Sequence, residues 1–203
     1  IAQATKLREN GVELVADAFV VGGYLHRVGG KYLISEEGKK WLLRSSPHYI
    51  GNLILYFETL YARWEKFEYS LEHGNPERSY LELFTQKDWE IYVYGMLDLA
   101  KLLLKEVGPK LKLPKQPRSL LDIGGSHGLY AIACCKRYPS LQATIMDFAP
   151  ALRHTRNVVA NEGMVDKVSL LAGDFTKDEL PPHQDCILMF NIVHGLTIEE
   201  NVQ

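Results

Sequence analysis

The chain has 203 residues, enough to bury a sizeable core in one large domain or two modest ones. With 23 Lys and Arg against 25 Asp and Glu, its formal net charge is −2 and both signs are mixed along the chain, so no broad attraction for nucleic acid or an anionic membrane is expected. The longest apolar stretches, such as 186–193, are too short to span a bilayer, and no cationic leader precedes an apolar run, so the expectation is a cytoplasmic protein with neither a membrane nor a nucleic-acid partner.

The first region, 1–44, carries apolar residues at helical spacing (Val12, Val15, Ala16, Phe19, Val20), followed by Gly22 and Gly23. Residues 24–28 and 31–34 flank Gly29-Gly30, which supply the positive φ of a tight hairpin turn. Helices followed by such a wing resemble a winged-helix module whose usual first helix would lie upstream of Ile1. A DNA-reading helix would carry cations, and there is none between Val12 and Val21.

The second region, 45–109, is helical. Ile50, Leu53, Ile54, Phe57, Leu60, Tyr61, Trp64 and Phe67 recur every three or four positions and predict an apolar stripe that must be buried. Gly74-Asn75-Pro76 interrupts the pattern, and Leu97, Ala100, Leu103 and Leu104 continue it until Gly108-Pro109. Residues 110–118 hold two prolines and several cations and mark a domain boundary.

The third region, 118–203, alternates apolar runs of strand length with helical segments, which predicts α/β architecture with a Rossmann-like parallel sheet. The expected strands are 119–123, 143–148, 168–172 and 185–193, with helices near 129–137 and 151–162. Cys134, Cys135 and Cys186 form no CxxC pair and no cysteine-histidine spacing of the zinc-binding kind, so a reduced compartment and no metal are expected.

The first of these strands runs through Asp122 into Gly124-Gly125-Ser126-His127-Gly128 and directly into a helix. Three glycines without Cβ atoms let such a loop turn sharply and approach a ligand at the carboxyl edge of the sheet; alone, the loop reads equally as a tight strand-to-helix turn. Asp147 ends the next strand at the distance where a carboxylate accepts from both ribose hydroxyls, and it also suits a helix cap. The dinucleotide pattern G-x-G-x-x-G would need glycine at Ile123, so pyrophosphate binding is disfavoured.

The D-x-G-G-x-x-G form instead resembles motif I of class I methyltransferases, and that resemblance implies S-adenosyl-L-methionine as cofactor. Gly173-Asp174-Phe175 is similar to the family's G-D-x-F region, whose acidic and neighbouring residues contact the adenine; the other reading is an aspartate capping a turn. The implied cofactor residues are Asp122, Gly124, Gly125, Gly128, Asp147, Phe148, Gly173, Asp174, Phe175 and Asn191. Residues 185–194 are similar to the strand that carries the catalytic histidine in small-molecule O-methyltransferases, which makes His194 the candidate general base for a small, aromatic hydroxyl acceptor. His194 also suits a structural role at the tip of a buried strand, and His127 reads as a surface or loop-packing residue.

The resemblance takes in nearly the whole chain, because that family carries an N-terminal winged-helix and helical region that forms a homodimer. The family's sheet has seven strands and four are legible here, so a natural protein longer at both ends is expected, or one completed in trans. Gly195 and Phe190, which depart from the family's pattern, leave open a catalytically idle, cofactor-binding relative. A ligand-sensing winged-helix transcription factor is a third alternative.

Overall fold

The computed structural model describes residues 1–64, 66–74 and 84–202; the interruption expected at Asn75 and Pro76 lies outside the described residues. The chain divides into two compact units, Ile1–Gly51 and Asn52–Gln203.

The first unit holds α1 (Ala2–Thr5), α2 (Glu9–Val21), strands β1 (Leu25–Val28) and β2 (Lys31–Ile34), and α3 (Glu36–Leu42). β1 and β2 pair antiparallel around Gly29 and Gly30, whose φ values of 55° and 75° satisfy a two-residue hairpin turn. Ser35 ties the end of the hairpin to its surroundings: its hydroxyl donates to the Gly23 carbonyl at 2.6 Å and accepts the Gly38 N–H at 2.9 Å, capping α3.

From Gly51 onward run α4 (Gly51–Trp64), α5 (Phe67–His73) and α6 (Gln86–Val107), the last opened by a reciprocal capping box between Thr85 and Asp88. Of the apolar stripe, Leu53 is buried, whereas Ile54, Phe57, Tyr61, Trp64 and Phe67 stay exposed on this chain. α4 is pegged to α6 by Asp98, a buried carboxylate that accepts the Asn52 N–H at 3.0 Å and the Asn52 side-chain amide at 3.3 Å.

The sheet follows: β3 (Ser119–Ile123), α7 (Leu129–Arg137), β4 (Gln142–Asp147), α8 (Ala149–Asn161), β5 (Val168–Ala172), β6 (Cys186–Leu188) and the short α9 (Ile198–Val202). The strand order is β5-β4-β3-β6, all parallel, with Leu121 opposite Thr144 on one side and Ile187 on the other. One core joins α6, α7 and α8 to the sheet through Leu97, Leu120, Ile132, Ile145 and Val158. β3, with four of its five residues buried, has core on both faces, which explains its continuous apolar run, whereas β5 and β6 keep exposed residues.

The last strand is shorter than the apolar run suggests. It ends at Leu188, Asn191 takes a left-handed φ of 55°, and residues Val193–Gly195 form a 3-10 turn. His194 therefore stands exposed on that turn, not at the tip of a buried strand. Because strand order reverses between β3 and β6, the loops after these two strands flank the crevice where ligands of such sheets collect.

Candidate functional site

The carboxyl ends of all four strands open on one cavity of about 290 Å³. Gly124 after β3, Asp147 and Phe148 after β4, and Gly173, Asp174 and Phe175 after β5 line it, together with Asn191 and His194 after β6. Trp89 and Tyr92 of α6 complete the wall. A smaller recess beside it is lined by Asp122, Gly125, Ser126 and His127, with Tyr130 and Phe190. Gly128 lines neither.

The loop after β3 is held by backbone geometry. Gly124 extends the parallel ladder one step by donating its N–H to the Met146 carbonyl at 2.8 Å, at a φ of 62°. A Cβ there would run into the Ile192 side chain. Gly125 is glycine for a different reason, since a Cβ would stand 2.7 Å from the Asp122 carboxyl. Gly128, at φ 72°, lies against β4, where a Cβ would meet Ile145 Cδ1 at 2.6 Å; it serves the seating of α7 on the sheet.

Asp147 accepts two backbone N–H groups, from Ser126 at 2.8 Å and from Phe148 at 2.7 Å. Burial pushes its carboxyl up to about 6 against the pull of those two donors. Each oxygen keeps acceptor capacity beyond the bond it makes.

Asp122 is 1% exposed and neither oxygen has a hydrogen bond of ordinary geometry among the described residues; the Ser126 hydroxyl is also buried without a partner. Burial, reinforced by the Asp147 charge and opposed by the Ala131 N–H, pushes the Asp122 carboxyl up to about 7. An unpartnered carboxyl and hydroxyl facing one recess are unfavourable unless a polar or cationic group meets them.

His127 is a buried loop-packing residue: its Nδ1 accepts the Leu129 N–H at 3.0 Å at the start of α7, and burial lowers its pKa to about 4. Asp174 lines the cavity but turns its carboxyl onto its own loop, accepting from the Thr176 N–H at 3.1 Å, the Thr176 hydroxyl at 2.6 Å and Lys177 Nζ at 2.8 Å. The Lys177 ammonium, with Thr176, holds that carboxyl below the usual range. Phe175 lines the cavity and packs against the cluster of Leu121, Ile123 and Met146. Phe190 stacks on Tyr130, ring centroids 4.1 Å apart, away from the larger cavity.

Trp89, Tyr92 and Ile192 line the cavity without any signal in the sequence that marked them. The two aromatic residues sit in the first turns of α6, and nothing local ties them to strand ends more than thirty positions away. Trp89 meets Phe148 at 6.2 Å and Tyr92 at 6.1 Å between ring centroids, giving one side of the cavity an aromatic face.

The O-methyltransferase domain family matches residues 62–203. The chain is 22% identical over 210 residues to 3-hydroxy-5-methyl-1-naphthoate 3-O-methyltransferase of Streptomyces sahachiroi, a match that takes in 98% of this chain and 59% of that protein. It is 26% identical over 184 residues to acetylserotonin O-methyltransferase of Bos taurus, taking in 83% of this chain and 52% of that protein. Among solved structures, human N-acetylserotonin methyltransferase in complex with SAM superposes with a TM-score of 0.72 and 22% identity, over 89% of this chain and 56% of that one. The chain thus spans between half and three-fifths of the length of these relatives.

Proposed function

The chain belongs to the O-methyltransferase domain family, and on that premise we propose that it binds S-adenosyl-L-methionine at the carboxyl edge of its sheet and methylates a hydroxyl of a small aromatic molecule. The observation that carries this reading is the convergence of eight sequence-marked residues, from the ends of four strands, on one cavity.

The residues fit the cofactor chemically. Asp147 has acceptor capacity left for two ribose hydroxyls, and Gly124 leaves the backbone open beside it. Asp122 and the Ser126 hydroxyl, both buried without an ordinary hydrogen bond among the described residues, suit the cationic amino group of the cofactor's amino-acid end. Phe148 offers an apolar face to the adenine, with Asp174 and Phe175 at the same rim. Bound there, the cofactor supplies a methyl group on a sulfonium, open to in-line displacement.

His194, on its turn at the cavity mouth, takes the proton of the attacking hydroxyl. A phenol, with a reference pKa of about 10, lies within reach of an imidazole base without a metal. The face made by Trp89, Tyr92 and Phe148 favours a flat aromatic acceptor. The exposed apolar stripe of α4 and α5 supports a homodimer through this region, with the first unit read as a winged-helix module; sedimentation as a monomer at micromolar concentration would count against the dimer.

Calorimetry of the full-length protein with S-adenosylhomocysteine tests the cofactor assignment. Asp147→Ala is expected to weaken binding by roughly 10- to 100-fold, the worth of buried hydrogen bonds to a charged group. Equal binding by wild type and variant overturns the ribose role. A protein that binds the ligand but methylates nothing in a panel of phenols is a catalytically idle relative.

A further inference from the structure

Thr155 has no obvious reason to be polar. It lies in the second turn of α8 with 0% of its surface exposed, and a threonine in a helix ordinarily satisfies its hydroxyl on the carbonyl four residues back. That carbonyl, Ala151, is within reach at 3.1 Å. The hydroxyl has a single proton to donate, and its nearer acceptor lies outside the helix: the carbonyl of Ser126, 29 residues away in the glycine loop.

Ser126 is the residue that needs holding. Its φ of 38° is positive without the freedom of glycine, a conformation that costs on the order of 1 kcal/mol for a residue with a Cβ. Its N–H is fixed by Asp147 and its carbonyl by Thr155, so both polar sides of the strained residue are gripped, one from the end of β4 and one from α8. The Thr155 methyl meanwhile lies 3.4 Å from where a Cβ on Gly128 would stand, filling the space beneath the loop.

We propose that Thr155 is a positioning residue of the cofactor site, whose hydroxyl holds the Ser126 carbonyl and thereby the residue's left-handed backbone, so that its N–H meets Asp147 and its side chain lines the recess beside Asp122. Thr155 lines neither cavity and acts through Ser126. The inference rests on the cofactor reading for its effect on affinity and on geometry alone for its effect on the loop.

The test compares Thr155→Val, which keeps the shape and removes the hydroxyl, with Thr155→Ser, which keeps the hydroxyl. Amide hydrogen exchange without ligand is expected to quicken at Ser126 in the valine variant and to return to the wild-type rate in the serine variant. Affinity for S-adenosylhomocysteine is expected to fall roughly tenfold in Thr155→Val and to stay within threefold in Thr155→Ser. Thr155→Ala substitutes if the valine variant does not fold. Unchanged exchange at Ser126 in the hydroxyl-free variant overturns the clamp. Equal affinity loss in both variants, tracking their thermal stability, overturns the positioning role. If the wild type binds no S-adenosylhomocysteine, the cofactor reading fails, and the exchange comparison alone upholds or overturns the clamp.

Discussion

Asp147 reaches back across 21 positions of sequence to accept the N–H of Ser126 at 2.8 Å, while its other oxygen accepts the N–H of its neighbour Phe148 at 2.7 Å. One carboxylate thereby fixes the end of β4, the start of α8 and the loop after β3. Asp122 lies close enough for its pKa to feel the Asp147 charge, and among the described residues neither of its oxygens has a hydrogen bond of ordinary geometry.

This difference makes stability depend on pH in a direction that can be read. The Asp122 carboxyl ordinarily titrates near 3.8 and in the fold near 7, so between those values the folded protein holds a proton the unfolded chain has released. Stability from the neutral carboxyl is complete below 3.8 and lost as pH rises through about 7. Asp122→Asn does not titrate, so relative to wild type it should gain on the order of 1 kcal/mol per pH unit across that window. His127 works in the opposite sense: its neutral form contributes fully above 6.5, and that contribution is lost as pH falls through about 4. Urea unfolding of both proteins at pH 5 and pH 8 measures the difference, and a flat difference would show that Asp122 is not perturbed.

His194→Ala should lower turnover by roughly 100- to 10,000-fold, the span of general-base contributions, while leaving affinity for S-adenosylhomocysteine within about twofold. Steady-state kinetics with a phenolic acceptor and calorimetry separate the two quantities. A fall in cofactor affinity equal to the fall in turnover would assign His194 to binding.

Gly124→Ala and Gly128→Ala should fail differently although both positions have positive φ. At Gly124 the obstacle is the end of the Ile192 side chain, which is only half-buried in the loop after β6; cofactor affinity should drop more than stability. At Gly128 the Cβ would press on Ile145, a fully buried residue of β4, and thermal stability should fall by roughly 2 kcal/mol or more. Melting curves with and without ligand distinguish the two.

The strand ends were legible because each strand closes on a residue with a reason to be there: β3 runs through Asp122 into glycines, β4 stops at Asp147, and β5 precedes Gly173-Asp174. The loop after β6 was not. A run of apolar residues from 186 to 193 reads as one strand, and nothing in it announces that Asn191 turns left-handed and lifts His194 onto an exposed 3-10 turn. Asp174 was legible in two ways, as a residue facing the adenine and as an aspartate capping its own turn; sequence spacing suits both uses, and the structure shows its carboxyl turned onto Thr176 and Lys177. Trp89, Tyr92 and Thr155 were invisible for a common reason: each meets the site only through tertiary packing from a helix whose local pattern looks ordinary.

The Asp98 peg has a mechanical consequence. It fixes the first turn of α4 to the middle of α6, where Gly95 admits the α4 backbone so closely that a Cβ there would stand 2.9 Å from Tyr56 Cβ. Tyr56 in turn meets Tyr92, ring centroids 5.6 Å apart, and Tyr92 is part of the cavity wall. α4, whose far face is apolar and exposed, is thus in ring contact with the aromatic wall of the cavity, beside its close approach to α6 at Gly95.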